Sequence, residues 1–432
     1  MTAIGFHYFP DEAHYRRADL ETWLPELAAL DARYLTLIGS LTRAVPEAFV
    51  RGLLDAGIQP IIHLPAVPTR RETQRVTEAT LRTLFATYAR WGVKYVAVYS
   101  EPNTRAAWAP ADWGQASLVE RFVDLLLPLL RAQQESGLQP VFPALRAGGD
   151  YWDTAFLEAA LASLNRRGHA ELARALTFAV NLWAFNRPAT WGQGGLQRWP
   201  TARPYLSPPG SQDQRGFHLF DWYAEIIQAQ VGIPRPMLCL AGGPTVGDRT
   251  DPAFPAVSEV RHASCIQEIA RAALGGGLHE QLLNVNFWLL SAPEGSPFQT
   301  EAWYRPDGST LPAVEVLKGL AGPGQPPERR RMDESKGLAA DAAGAVEPKT
   351  IRHYLLLPTF EWGVSEFHWS AALEFVKAHR PVCGFAPIEA RLAHRVTIVG
   401  NEQGISAAVE ADLRQAGCQV ERLSIEANVA AN

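Results

Sequence analysis

The sequence predicts an α/β protein: a (β/α)8 TIM barrel followed by a small three-layer α/β domain. Short runs rich in Val, Ile, Leu and aromatic residues alternate with longer segments of helical periodicity, which is typical of βα units and a parallel sheet. The length of 432 residues exceeds that of one ordinary domain, although a TIM barrel can occupy well over half of it. One large domain and one small domain are therefore expected.

Eight apolar runs fit the strands of the barrel. They lie at 3–8, 33–38, 58–64, 94–99, 139–143, 177–181, 237–241 and 283–288, and the clearest helices between them are 75–91 and 116–136. In TIM barrels the reactive groups lie at the carboxyl ends of the strands and on the loops that follow. The longest such loop, 185–217, is rich in Gly, Pro and Trp and is expected to form one wall of a cleft.

The predicted domains are a barrel over 1–320, a flexible linker over 321–349 and a small α/β interaction domain over 350–432. The linker segment is rich in Gly, Pro, Ala and charged residues and has neither helical nor strand periodicity. Beyond it, strands are predicted at 351–357, 381–385 and 395–399, with helices at 365–378 and 405–416.

Composition argues against several classes of partner. The 40 basic and 45 acidic residues are intermixed, so the net charge of -5 provides no field suited to a nucleic acid or an anionic membrane. The four cysteines are widely scattered, which indicates neither a metal site nor a disulfide framework, and no cofactor is expected. No signal peptide or membrane-spanning segment is evident, so the chain as written is expected in the cytoplasm, and outside the cell only if a leader was removed.

The fourth predicted strand runs into Ser100-Glu101-Pro102-Asn103, which places a carboxylate at a strand end. Glycoside cleavage usually needs two carboxyl groups, and strands four and seven of a barrel can supply them across a pocket. Strand seven, however, ends in Leu240-Ala241-Gly242-Gly243, with alanine where the second carboxylate would stand. The alternative for Glu101 is a loop carboxylate without chemistry, which its strand-end position disfavours.

Over roughly residues 1–320 the chain resembles clan A glycoside hydrolases, and in detail their cellulase-like and xylosidase-like members. Their fourth strand ends in Asn-Glu-Pro, with the acid/base, and their seventh in a Thr-Glu-Gly-Gly-like motif, with the nucleophile. The resemblance implies that Glu101 is the acid/base, that Ser100 replaces a sugar-binding Asn, and that Ala241 leaves the nucleophile position vacant.

The resemblance also implies a saccharide pocket. Trp288 matches the family's sugar-platform tryptophan, while Asn181 and Trp183 fall where strand six carries a His and an aromatic residue. Indole faces stack on sugar rings, and the chain has 13 tryptophans, although Trp288 could equally be a core residue. Asn103, His7 and His63 are expected at the same rim, with the alternative that the histidines are hydrogen-bonded structural groups.

Three explanations of the vacant nucleophile stay open. The first is that the barrel has kept its sugar-binding shape and lost catalysis. The second is that another carboxylate, with Asp248 favoured over Asp221 and Glu225, has taken over in an inverting mechanism. The third is that the alignment at strand seven is displaced.

Loss of a covalent nucleophile costs several orders of magnitude in rate. The expected function is therefore binding of an oligo- or polysaccharide with impaired or absent retaining hydrolysis. The alternatives are an active O-glycosyl hydrolase that uses Glu101 as general acid with a non-standard second carboxylate, and a non-catalytic scaffold.

The segment 393–406, followed by Val409, Leu413 and 417–423, resembles part of the type 2 cell-wall-binding repeat, from which it departs at Asn401. Ser406 opens a predicted helix and is equally explained as an N-cap. The more cautious interpretation is an interaction module, through which the chain contacts a protein partner or itself.

Overall fold

The structure is a computed structural model that describes residues 1–70, 72–321, 349, 351–358, 366–402 and 404–423. The chain divides into two compact units, Met1–Glu328 and Arg329–Asn432. Apart from Ala321 and Lys349, the predicted linker lies outside the described residues.

The first unit contains a barrel of eight parallel strands. They are β1 Ala3–His7, β2 Tyr34–Ile38, β3 Gln59–Leu64, β4 Tyr95–Val98, β5 Val141–Phe142, β6 Thr177–Trp183, β7 Met237–Gly243 and β8 Asn284–Phe287. The strands pair in the order β4-β3-β2-β1-β8-β7-β6-β5. The two end strands meet where the Gln139 N–H donates to the Lys94 carbonyl at 3.0 Å, which closes the sheet. The predicted barrel is thus confirmed, and each predicted strand is found.

Helices cover the outside of the barrel. They are α1 Arg17–Ala29, α2 Glu47–Asp55, α3 Gln74–Arg90, α4 Pro110–Trp113, α5 Leu118–Glu135, α6 Asp153–Arg166, α7 Ala170–Ala175, α8 Gly195–Arg198, α9 Leu219–Val231, α10 Glu259–Leu274 and α11 Ala313–Ala321. On α5, for example, Phe122, Leu126 and Leu129 are buried at three- and four-residue spacing, which turns one apolar face to the core.

Strand alternation separates an inner core from an outer one. Ile61 belongs to a cluster with Val141 and Leu238 in the barrel lumen, whereas the next residue, Ile62, belongs to the cluster shared with the helices. Successive side chains of a strand point to opposite faces, so each barrel strand contributes to both cores.

Part of the lumen is polar. Asn284 Nδ2 donates to Asn286 Oδ1 at 2.6 Å, and Asn286 Nδ2 donates to Thr36 Oγ1 at 2.8 Å. A Cβ added to Gly5 on the neighbouring β1 would lie 2.1 Å from Asn286 Oδ1, so only glycine leaves room for this amide. These hydrogen bonds satisfy the buried amides that link β1, β2 and β8.

The second unit is a small α/β domain, as predicted. Its parallel sheet has the order β10-β9-β11-β12, with β9 Ile351–Leu356, β10 Val382–Gly384, β11 Ala393–Val399 and β12 Gln419–Leu423. Its helices are α12 Glu366–His379, α13 Pro387–Ala390 and α14 Ala407–Gln415. The strand β12 was not predicted from periodicity, but it lies within 417–423, where the repeat resemblance implies a strand. Ser406 is the N-cap residue of α14, without a capping bond from its side chain.

Candidate functional site

A cleft of about 1010 Å³ opens at the carboxyl ends of the barrel strands. The predicted residues that line it come from six strands and the loops after them: His7, His63, Ser100, Glu101, Asn181, Trp183, Ala241, Asp248 and Trp288. Residues separated by almost the whole barrel sequence are therefore brought together around one cavity.

Asn103 lies outside the cleft lining and is fully buried. Its Nδ2 donates to the carbonyls of Arg146 and Tyr151, both at 2.9 Å, and its Oδ1 accepts from the Arg146 N–H at 2.8 Å. Instead of the predicted contact with a ligand, this amide ties the loop after β4 to the loop after β5.

The carboxylate of Glu101 is held in an ion pair. Nε and Nη2 of Arg146 each lie 2.7 Å from Glu101 Oε2, and the side chains are 61% and 17% exposed for Arg146 and Glu101 respectively. Arg146 was not among the residues predicted from the sequence. The sequence signal that could have identified it is its position a few residues after the fifth predicted strand, at the same rim as Glu101.

The backbone at the end of β4 is strained. Tyr99 and Glu101 have φ of 63° and 46°, in the left-handed region that costs a non-glycine residue about 1 to 3 kcal/mol. Three hydrogen bonds hold this turn: His63 Nε2 lies 2.9 Å from the Tyr99 carbonyl, the Thr104 N–H donates to the Glu101 carbonyl, and Trp108 Nε1 donates to the Pro102 carbonyl. Such strain persists where the surrounding structure holds the backbone in place. Here this backbone conformation directs the side chain of Glu101 into the cleft.

The two cleft histidines are neutral at physiological pH. Burial lowers the pKa of His63, against the opposing hydrogen bond to Tyr99. Burial, and then the proximity of His63, lower the pKa of His7 to about 3. The hydrogen bond between His63 and the strained turn agrees with the alternative that His63 is a structural group. His7 instead packs its ring 4.6 Å from that of Trp288.

Trp288 forms an aromatic corner with its neighbours. Its ring lies edge-to-face with Trp183 at 5.9 Å and with Phe298 at 5.4 Å, and all three residues line the cleft. Its Nε1 donates to Glu301 Oε2 at 2.6 Å, and its peptide bond to Leu289 is cis. Trp288 is partly buried, so it combines packing with a surface that a ligand can reach.

The end of β7 provides no carboxylate. A β-bulge between Val180 and Asn181 sets the register of β6 against β7 and pairs Asn181 with Ala241. Ala241 is 5% exposed, and Gly243 beyond it has φ of 90°. The position that the resemblance assigns to the nucleophile therefore faces the cleft and carries only a methyl group.

Other carboxylates reach the cleft from the loops after β7 and β8. Asp248 accepts hydrogen bonds from the N–H and Oγ1 of Thr250 at 2.9 and 3.2 Å, so it stabilises its own turn. Glu301 was missed from the sequence because it lies in a loop without a motif. Burial raises the pKa of Glu301, the charge of Asp248 raises it further, and the hydrogen bond from Trp288 opposes the rise.

Asp221 and Glu225, the other substitutes considered for the nucleophile, lie on α9 and line a separate cavity of about 830 Å³. Asp221 Oδ2 lies 3.0 Å from His218 Nδ1 and accepts from the Gly194 N–H. Because both carboxylates project from the outer helix layer, they are placed away from Glu101, and this part of the hypothesis is wrong.

The loop 185–217 does contribute a wall, through Phe185, Arg187 and Arg215. Trp191 lies behind this wall, with the Arg187 guanidinium 4.3 Å from its ring centre. Asp213 is 2% exposed and pairs with both arginines. Although burial opposes it, hydrogen bonds from Arg215 and Ser207 lower the pKa of Asp213 to about 2.

Within the described residues, no group of three or more His, Cys, Asp or Glu side chains is placed to hold a metal ion. Across the same part of the chain, no helix has the length and apolar character needed to cross a membrane.

No protein-family model matches the sequence, and no curated protein matches it significantly. Among solved structures, the chain resembles a family 39 glycoside hydrolase from the gut symbiont Bacteroides cellulosilyticus WH2, with a TM-score of 0.50 and 11% identity over 74% of this chain and 64% of that one. It also resembles a monomeric β-xylosidase from Caulobacter crescentus CB15 (TM-score 0.49, 16% identity, 75% and 68% of the two chains) and a GH10 endoxylanase retrieved from a sugarcane soil metagenome (0.46, 10%, 74% and 97%).

The chain shares the barrel fold of glycoside hydrolases. The predicted resemblance to clan A is thus confirmed at the level of the fold, which is all that such low identities show. The chain spans 64% of the length of the family 39 enzyme.

Proposed function

We propose that the protein binds a saccharide in the barrel cleft and does not catalyse retaining glycoside hydrolysis. The observation that carries the proposal is Ala241, which faces the same cleft as Glu101 from the end of β7. A retaining mechanism needs a nucleophilic carboxylate about 5 Å from the acid/base, and a methyl group cannot form the glycosyl-enzyme bond. The second unit keeps its proposed role as an interaction module, joined to the barrel by the linker 321–349.

The ion pair of Glu101 supports this proposal. A hydrogen bond from Arg146 Nε and an ion-pair contact from its Nη2 converge on Oε2 of Glu101, which occupies lone pairs that an acid/base would turn toward the glycosidic oxygen. The paired carboxylate can still orient a sugar hydroxyl through its second oxygen.

The aromatic corner supports binding. Trp183, Trp288 and Phe298 place apolar ring surface beside polar groups such as Asn181 and Ser100. Saccharide sites combine apolar stacking surfaces with a few polar contacts in this manner, and neither requirement depends on residue 241.

Trp288→Ala is the direct test of binding. Loss of the indole should lower the affinity for a bound oligosaccharide by roughly tenfold to a hundredfold, because a buried aromatic contact is removed. Isothermal calorimetry of the full chain against xylo-, cello-, galacto- and uronate-type oligosaccharides measures the effect. Trp199→Ala is the matched control, since Trp199 is a partly buried tryptophan of loop 185–217 that lies outside the cleft lining. Absence of any binding by the wild type would favour the scaffold alternative.

A hydrolase with a non-standard second carboxylate is the second candidate, and Glu301 is the observation that favours it. Its carboxyl group lines the cleft, and burial raises its pKa. A general acid needs a carboxyl group that keeps its proton, and an inverting mechanism pairs it with a carboxylate that activates water. The prediction instead made Glu101 the general acid and Asp248 the second carboxylate, but the oxygens of Asp248 are engaged by Thr250. We propose here that Glu301 is the acid and Glu101 the carboxylate that activates water.

Glu301→Gln decides between the two candidates. We expect no release of phenol from aryl glycosides by the wild type above the level of Glu101→Gln, because the nucleophile position is vacant. Turnover that both Glu101→Gln and Glu301→Gln reduce by about a hundredfold or more, with Asp248→Asn unaffected, would instead establish a hydrolase that uses these two carboxyl groups, and inversion at the anomeric carbon of the product would establish the inverting mechanism. The assay is a time course of phenol release from unsubstituted phenyl glycosides by each purified variant, because this leaving group needs the general acid.

A further inference from the structure

We propose that the ligand of the cleft is an acidic saccharide whose carboxylate or sulfate group is bound by Arg146, Arg187 and Arg215. The inference rests on the proposed saccharide-binding function and deepens it by naming the class of ligand. These three arginines line the cleft together, on the wall formed by the loops after β5 and β6.

The three arginines lie along one strip of this wall, in which Arg187 and Arg215 are linked through Asp213 and Arg146 belongs to the loop on which Arg215 packs. Arg187 Nη1 donates to the Arg215 carbonyl at 2.6 Å and to Asp213 Oδ1 at 3.2 Å, while Arg215 donates to Asp213 Oδ2 from Nε and Nη2 at 2.9 and 2.5 Å. Arg215 in turn lies on Gly148, where an added Cβ would be 2.5 Å from Arg215 Cδ. Gly148 is two residues beyond Arg146, so the strip runs from Arg187 to the partner of Glu101.

The carboxylate that holds two of these arginines lies behind them. Asp213 is almost fully buried and is not part of the cleft lining, whereas Arg187 and Arg215 are. Its pKa is lowered to about 2, so its charge fixes the guanidinium groups from the back at any ordinary pH. Arginines that are held in place before binding lose less side-chain entropy when an anion arrives.

Each arginine has a terminal nitrogen to spare. Among the described residues, no hydrogen bond involves Arg146 Nη1, Arg187 Nη2 or Arg215 Nη1, because their ion pairs use the other nitrogens. A planar guanidinium can satisfy one carboxylate with one edge and offer its remaining N–H groups to a second anion.

The charges of the cleft are divided between its walls. The three cations of the arginine wall are balanced by Glu101, Asp251 and the buried Asp213, while Asp248 and Glu301 on the loops after β7 and β8 have no arginine partner among the described residues. An anionic substituent thus finds free N–H donors on one wall and is repelled from the other. This asymmetry gives an acidic sugar one preferred orientation, whereas a neutral sugar would gain nothing from it.

The test compares acidic oligosaccharides with their neutral counterparts. Calorimetry of the full chain would use oligogalacturonides, oligomannuronates and oligoglucuronates, each beside its methyl ester, and sulfated chondroitin disaccharides beside the desulfated ones. We expect at least one free acid or sulfated probe to bind tenfold or more tightly than its neutral match, with a preference that weakens as salt is raised. Binding of the uronates alone identifies a carboxylate, and binding of sulfated probes alone identifies a sulfate.

Two variants attribute the preference to the arginines. Arg146→Gln and Arg215→Lys should each lower the affinity for the acidic probe roughly tenfold more than the affinity for its neutral match, since the first removes a charge and the second keeps the charge but loses the planar fork. Arg105→Gln is the matched control: it removes the same charge from a side chain that is 73% exposed and lies outside the cleft lining. Arg215→Lys retains a cation beside Asp213, so the buried carboxylate is not left unpaired.

The failures of the two proposals are distinguishable. Equal binding of acidic and neutral probes, or a preference that survives Arg146→Gln and Arg215→Lys, overturns the acidic-ligand inference and leaves saccharide binding intact. Binding of no probe at all overturns both.

Discussion

Replacing Ala241 by glutamate is expected to raise the hydrolysis of activated aryl glycosides by about a thousandfold or more over Ala241→Gln. A covalent nucleophile contributes several orders of magnitude to glycoside cleavage, and the substitution restores it at the strand end where the resemblance requires it. Ala241 faces a cleft of about 1010 Å³, so the longer side chain has space beside the paired strand residue Asn181.

The measurement is release of nitrophenol from xyloside, glucoside, galactoside and glucuronide substrates, with detection of a burst of product as the glycosyl-enzyme forms. Ala241→Gln is the control because it has the same size without the charge. An active Ala241→Glu variant should lose its activity again in the double variant with Glu101→Gln. A folded Ala241→Glu variant that is no faster than Ala241→Gln would show that more than the missing nucleophile silences the site.

Arg146 would then be the second element to test. It holds Glu101 Oε2 with a hydrogen bond from Nε and an ion-pair contact from Nη2, and both compete with any contact of that oxygen with a leaving group. Combining Arg146→Gln with Ala241→Glu separates the two obstacles, because only the ion pair differs between the single and double variants.

The barrel was predictable because its signal is local. Each strand is a short apolar run and each helix a longer periodic one, so β3 and α5 can be recognised without knowledge of their neighbours. The rule that sites lie at the carboxyl ends of the strands then brought Glu101, Ala241 and Trp288 into one cleft. The substitution at Ala241 was visible for the same reason.

The partners of these residues were not predictable, because they depend on packing between distant segments. Arg146 is 45 positions from Glu101, and Glu301 reaches Trp288 from a loop that has no motif. The directions of three side chains were also predicted wrongly. Asn103 follows the same strand end as Glu101 but turns inward to the backbone of the next loop, while Asp221 and Glu225 project from the outer layer.

Acidification below pH 6.5 should destabilise the barrel through two buried histidines. His7 and His262 are both buried, and burial lowers their pKa values to about 3 and about 4, against 6.5 for an unperturbed histidine. Between these values the unfolded chain binds more protons than the folded one, so stability falls as the pH falls from 6.5. Two such histidines remove about 5 kcal/mol from the free energy of unfolding between pH 6.5 and 4.5.

His262 offers the cleaner test of this effect, because it lies outside the cleft. Both ring nitrogens are buried without a hydrogen-bond partner in the described part of the chain, and the ring packs 5.7 Å from that of Trp303. His262→Phe therefore sacrifices no hydrogen bond, keeps an aromatic contact and should remove about half of the loss of stability on acidification. Urea unfolding of the barrel, followed by tryptophan fluorescence at pH 6.5, 5.5 and 4.5, gives the slope of the free energy of unfolding against pH.

His14→Gln is the substitution control, since it removes a histidine whose side chain is 29% exposed and pairs with Asp11 instead of packing in the core. The carboxyl groups of Glu225 and Glu301 act with the opposite sign: burial raises their pKa values, so they take up protons in the folded state first and offset part of the loss. An unchanged slope in His262→Phe would mean that this histidine accepts a proton without unfolding. In that case water reaches His262 on α10 at low pH. Burial of its unpartnered ring would then not determine how the free energy of unfolding changes with pH.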